Sequence, residues 1–190
     1  MSQTASGFYK HGFGTVAPWV DLANSEEWDG FGKFTDHLAN PPWLHSFLKH
    51  WKFHPLSSTH APRRDLLKLR RVLRRTAEQL AAGQRPSPSH LSKLNHALNV
   101  SVRRRLVQTQ DGLRTELFPV RKDWRWVMAR IAASLGEMLE SQQAERIRIC
   151  ANADCRWVFY DPTKAQIKRW CNDRTCGNRA RVRRARALQK

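Results

Sequence analysis

Apolar residues recur at helical spacing in four stretches of the chain. The clearest covers residues 63–82, where Leu66, Leu69, Leu73, Ala77 and Leu80 fall on one face and Arg64, Lys68, Arg71 and Arg75 lie opposite. Gly83 supplies the left-handed stop that ends such a helix. Trp43, Phe47, Leu48 and Trp51 share one side of a shorter helix, with Pro41-Pro42 in its first turn and Pro55 limiting its extension. Leu91, Leu94 and Leu98 predict a helix over residues 89–98, capped by Ser87 or Ser89. Trp124, Val127, Met128, Ile131, Leu135, Met138 and Leu139 predict a long one over residues 124–141. The segment Val20-Asp21-Leu22-Ala23-Asn24-Ser25 reads as a short strand or a helix entry.

Between residues 100 and 117 the period drops to two. Val100, Val102, Arg104, Leu106 and Gln108 alternate, as do Leu113, Thr115 and Leu117, and Gln110-Asp111-Gly112 lies between them as a turn. That is the pattern of a β-hairpin. Further on, Ile147-Arg148-Ile149 and Trp157-Val158-Phe159-Tyr160 predict two short strands, Asp161-Pro162-Thr163 a turn, and the residues from Asp173 onward a helix.

The chain has four cysteines, and all lie in this last part, as Cys150-x4-Cys155 and Cys171-x4-Cys176. Two short pairs joined by a loop can bring four thiolates onto one zinc ion. The expected cofactor is one structural Zn2+ per chain. A zinc ion with four cysteine ligands has no open coordination position, so it is not a catalytic metal. The predicted architecture is a mainly α domain with one β-hairpin (α+β) over residues 1–145, followed by a small treble-clef-like zinc finger, a hairpin plus a basic helix, over residues 146–190. So small a finger has little core of its own, and metal binding is its expected folding energy, about 10–16 kcal/mol in zinc-finger peptides.

Charge narrows the partner to a polyanion: DNA, RNA or an anionic membrane face. The chain carries 34 Lys and Arg against 16 Asp and Glu, a net of +18. Residues 1–60 hold 4 basic against 5 acidic groups, residues 61–145 hold 17 against 8, and residues 146–190 hold 13 against 3. Such an excess calls for a polyanion. On the terminal helix Val182 and Ala185 form a narrow apolar strip flanked by Leu188, which is expected to dock on the zinc module. Arg179, Arg183, Arg186 and Lys190 then face outward on one flank, and Arg181 and Arg184 on the other. Lys168 and Arg169 widen the same surface. Arg179 has three readings: a brace for the tetrathiolate, a partner for Asp154 or Asp173, or a nucleic-acid contact.

The stretch from about residue 146 to 187 resembles the CGNR zinc-finger family. The resemblance rests on Cys176-Gly177-Asn178-Arg179, the knuckle Cys150-Ala151-Asn152 with Asp154-Cys155, Trp157, Phe159, Arg169-Trp170-Cys171 and Arg183-Arg184. Val20-Asp21-Leu22-Ala23-Asn24-Ser25 is similar to the opening motif of the ABATE domain of stress-induced transcription regulators. The resemblance implies a bacterial regulator in two parts.

The expected function is therefore zinc-dependent DNA-binding transcriptional regulation, with the N-terminal domain sensing a small-molecule effector or forming a homodimer. Asp21 and Asn24 are the candidate ligand-binding residues. Two alternatives remain. One is an RNA-binding or ribosome-associated protein that stacks bases on Trp157, Phe159 or Trp170; the other is a ligand-binding or protein-interaction module with a purely structural zinc. No Gly-rich phosphate loop or nucleophile elbow points to an enzyme. His50 and His54 have a metal-compatible spacing but no further ligands, and read as surface or packing residues. No 18-residue apolar stretch or secretory signal is visible, so the chain is expected in the cytoplasm, on the nucleoid, and away from membranes.

Overall fold

A computed structural model of the chain describes residues 13, 16–53, 56 and 60–189. His54, Pro55 and Lys190 lie outside the described residues. Six helices and three two-stranded antiparallel ribbons are present among the described residues.

Helix α1 spans Pro18–Asn24 and begins with proline at its first turn. At seven residues it is too short to persist alone. Its stability comes from packing: every residue from Trp19 to Asn24 is buried, against α3 (Arg63–Ala81), α5 (Trp124–Glu140) and β6 (Val158–Tyr160). Helix α2 (Pro41–His50) buries Trp43, Phe47 and Leu48, with Trp43 and Phe47 stacked at 5.3 Å. Helix α3 buries the predicted leucine face and exposes Arg64, Lys68, Arg71 and Arg75. It ends where Gly83, at φ +71°, donates to Leu80 and Gln84 donates to Gln79. Helix α4 (Pro88–Leu98) is capped by the Ser87 hydroxyl, but only Leu94 is buried; Leu91 and Leu98 are exposed.

Helix α3 also buries two arginines that its leucine period passes over. Arg70 forms ion pairs with Asp36 at 2.5 Å and Glu26 at 3.6 Å. Arg74 donates to the carbonyl of Arg156, and burial lowers its pKa against the pull of Glu78. Both carboxylates paired with Arg70 sit on a ribbon that the alternation does not reveal, β1 (Glu26–Trp28) with β2 (Phe34–Asp36).

The predicted hairpin is present as β3 (Val102–Thr109) and β4 (Gly112–Pro119), and its alternation does not face the core. Neither strand packs closely on another element. The register sets Leu106 opposite Thr115, Arg104 opposite Leu117 and Gln108 opposite Leu113, so each row holds one apolar residue. The result is a zigzag stripe on a projecting arm, with Leu106 and Leu113 about 70% exposed (70% and 73%).

The last ribbon pairs β5 (Ile147–Ile149) with β6. Ile147, Trp157 and Val158 are buried in the same apolar cluster as Leu22 and Leu73, so the cysteine module shares the core of the N-terminal helices. One side chain clasps the two twice. Asn24 Nδ2 donates to the Val158 carbonyl and Asn24 Oδ1 accepts from the Val158 amide, both at 2.8 Å. Removing this side chain strands two buried backbone groups, each worth about 1–3 kcal/mol. Asn24→Ala is expected to lower unfolding stability by about 2–4 kcal/mol in denaturant titration. It should leave one cooperative transition; a loss below about 0.5 kcal/mol would show that the clasp carries no weight.

Candidate metal centre and nucleic-acid surface

Cys150 follows β5, and Cys155 closes a tight turn in which its amide donates to the Asn152 carbonyl at 2.9 Å. Arg156 then takes a left-handed conformation, φ +53°, that reverses the chain into β6. The loop from 161 to 170 returns the chain to Cys171 and is organised by Asp161, which is fully buried. Burial alone would raise that carboxyl's pKa. Hydrogen bonds from the Thr163 hydroxyl, the Thr163 amide and the Lys168 amide outweigh it and hold the pKa below the ordinary carboxylate value. The stabilisation from Asp161 is thus present at neutral pH and is lost as pH falls through the lowered pKa.

Cys176 sits in a π-helical turn, Asp173–Gly177, that leads into α6 (Asn178–Ala187). The Asn172 side chain accepts from the amides of Arg174 and Thr175 and caps this turn. Gly177 lets the chain pass close to its neighbours: a Cβ there would lie 3.0 Å from the Trp170 ring and 3.2 Å from the Asp173 carboxylate, so both would have to shift by a few tenths of an ångström.

The four sulfurs lie within 4.8 Å of one another. A zinc tetrahedron with Zn–S bonds of about 2.3 Å has edges of about 3.8 Å. Cys155 and Cys171 are 3.7 Å apart and Cys171 and Cys176 are 3.8 Å apart. Those separations exclude disulfides, whose sulfurs bond at about 2.05 Å, and fit one structural zinc ion. Asn152 is the main support around the sulfurs: fully buried, it donates to Cys176 Sγ at 3.7 Å and to the Gly30 carbonyl at 3.4 Å. Its Oδ1 accepts from Arg183 at 2.6 Å.

The basic residues divide into two groups. Arg179 reaches neither Asp154 nor Asp173. Its Nη1 donates to the Asp29 carbonyl at 3.1 Å, and its guanidinium lies 3.7 Å from the Phe31 ring centroid, so it braces the zinc module against the β1–β2 turn. Arg183 bonds Asn152 and pairs with Asp154 at 3.3 Å, and Arg181 donates to the Asp173 carbonyl at 3.2 Å. Arg184 and Arg186 reach no acceptor among the described residues. Lys168 lies over Phe159 at 5.7 Å and Arg169 over Trp170 at 5.4 Å, both along the 161–170 loop.

Helix α6 does not dock by its apolar strip. Val182, Ala185 and Leu188 are exposed, and every described residue from Arg181 onward faces solvent. With β5–β6 already packed on α1 and α3, the module leaves no apolar seat for the strip. Trp157 and Phe159 are buried and offer no face to a base; Trp170 is half-buried. Asp21 and Asn24 are also fully buried. Asp21 accepts from Trp51 Nε1 at 2.8 Å, and Asn24 is bound to Val158. Neither lines the cleft of about 890 Å3 whose walls include Leu38, Leu44, Leu48, Trp124, His60 and Arg64. No helix among the described residues is long and apolar enough to cross a membrane.

The CGNR zinc-finger family matches residues 146–189. The ABATE family, described as "Putative stress-induced transcription regulator", matches residues 17–142. Both are regulator or zinc-finger families, not families of enzymes. No curated protein matches the chain.

Without metal, a hydrogen bond to Cys155 and burial push the Cys150 thiol up to about 11, and its neighbours raise Cys171 as well. A raised thiol pKa stabilises the metal-free fold below the unfolded value of 9.0 and ceases to do so as pH rises through about 11. Zinc reverses the preference because it binds thiolates. Zinc added to metal-free protein at pH 7 should therefore bind one per chain and release protons, measured by calorimetry in buffers of different ionisation enthalpy. Binding without proton release would contradict a tetrathiolate site.

Proposed function

The chain belongs to the ABATE family and carries a CGNR zinc finger after that domain, and on this basis we propose that it is a zinc-dependent DNA-binding transcription regulator. The observation that carries the reading is α6. It projects from the metal centre with every described side chain from Arg181 onward exposed, and its Arg184 and Arg186 have no acidic partner among the described residues. Arg184 lies three residues from Arg181 and Arg186 three from Arg183, a helical spacing at which like charges repel one another. A phosphate backbone supplies the counter-charge and releases counterions. Arg181, Lys168 and Arg169 extend this surface, whereas Arg179 and Arg183 hold it in place. The protein so read works in the cytoplasm on the nucleoid.

The N-terminal domain is read as the dimerising and sensing part. A two-stranded ribbon alone is marginal in water, and the β3–β4 arm presents its apolar zigzag to solvent. A second copy that packs the same stripe against it covers both, with Arg103, Arg105 and Arg114 on the outer face. An effector would occupy the cleft between α2 and Trp124.

Two measurements test this reading. Fluorescence titration of duplex DNA across salt should give a steep fall in affinity. Arg184→Ala with Arg186→Ala should reduce the slope of log K against log salt by about 2; an unchanged slope would move the contact elsewhere. In sedimentation the protein should run as a dimer, and Leu106→Glu with Leu113→Glu should return it to a monomer. A wild-type monomer would remove the arm from the dimer interface.

A further inference from the structure

The turn between β1 and β2 is built to hold an aromatic ring outside the protein. Its residues are Asp29-Gly30-Phe31-Gly32-Lys33, and Phe31 is 75% exposed. Gly30 and Gly32, on either side of it, have φ of +88° and +95°, a conformation that disfavours side chains. The Asp29 carboxylate accepts from the Phe31 amide at 2.7 Å and the Lys33 amide at 3.1 Å, and the Asp29 amide donates to the Lys33 carbonyl at 3.1 Å. The zinc module grips the same turn from outside, through Arg179 on the Asp29 carbonyl and Asn152 on the Gly30 carbonyl. A Cβ on Gly30 would lie 2.2 Å from Arg179 Nη1, so the grip depends on that glycine.

A phenylalanine left in water forgoes about 1.5–3 kcal/mol of burial. Here the backbone is fixed at both ends and from the side, so the ring is held out of the core. A cation lies on the ring: the Arg179 guanidinium is 3.7 Å from its centroid. An exposed apolar ring backed by a guanidinium matches a ligand that is anionic outside and flat and apolar inside. Stacked bases between phosphates have that chemistry, and proteins that insert Phe, Leu or Met between base steps use it.

We propose that Phe31 is a wedge that enters a base step of duplex DNA beside the α6 contact, with Arg179 positioning the ring. This inference rests on the DNA-binding reading above, and it makes the interface composite, with the regulatory domain supplying a residue at the metal module's surface. Pyrimidine–purine steps are the preferred entry because they unstack most easily.

The test uses full-length zinc-loaded protein and AT-rich duplexes carrying 2-aminopurine at TA steps. Wild-type protein should raise 2-aminopurine fluorescence on binding, as the base unstacks. Phe31→Ala should bind about 5- to 100-fold more weakly and abolish the rise, while zinc content and thermal midpoint stay at wild-type values. Phe31→Leu, still an apolar wedge, should retain the rise. Wild-type binding with no rise, or Phe31→Ala matching wild type in affinity and fluorescence, overturns the wedge and leaves the DNA-binding reading standing. If Phe31→Ala loses zinc or melts early, the Leu variant decides, and a folded Leu variant without the rise overturns the wedge. Equal affinity for the matching single strand also overturns it, and failure of wild type to bind any duplex overturns both readings.

Discussion

The metal module has too few residues to build a core, and it uses the core of its neighbour. Ile147, Trp157 and Val158 fill space between α1 and α3, and the two bonds from Asn24 fix the edge of β6 in register with α1. Everything further out inherits its position from this weld. Cys150 and Cys155 lie in the connection from β5 to the strand so held, Asn152 lies between them, and Asn152 in turn fixes Arg183 and the Gly30 turn. Zinc therefore closes a site that packing has already begun to form. A zinc-finger peptide, by contrast, takes nearly all of its folding energy from the metal.

This division of labour separates arginines that composition treats alike. Arg70 and Arg74 are buried and hold α3 to the β1–β2 ribbon and to Arg156. Arg179 and Arg183 tie the metal centre to its surroundings. Arg184 and Arg186 remain free among the described residues and carry the charge that a polyanion would meet. The net charge of +18 is thus a poor guide to the contact surface, because part of it is internal structure.

What was legible in the sequence follows the range of the interaction that decides it. The Cys-x4-Cys pairs specify the metal site because ligand spacing is local, and the four sulfurs converge as expected. The leucine period of α3 and the Ser87 cap are also local and hold within a residue. The β3–β4 turn and register follow from alternation, but alternation does not say which side is buried, and here neither is. The roles of Asn24 and Arg179 are set by partners 134 and 150 residues away, beyond any periodic signal. Sequence proximity instead suggested a ligand site for Asn24 and an acidic partner for Arg179. Likewise the Val182–Leu188 strip looked like a docking face because its spacing is helical, yet it is exposed, while β5 and β6 pack on α3 and α1. The turn around Phe31 is gripped by Arg179 and Asn152, whose partners there lie 150 and 122 residues away.

The central claim is that the zinc-held surface recognises duplex DNA. Selection of genomic fragments on the full-length protein, sequenced with and without a zinc chelator, tests it most directly. The account predicts a discrete set of duplex fragments that is recovered with zinc and lost on chelation. Recovery of RNA in preference to duplex DNA, or of no nucleic acid from a zinc-loaded, folded protein, would contradict it.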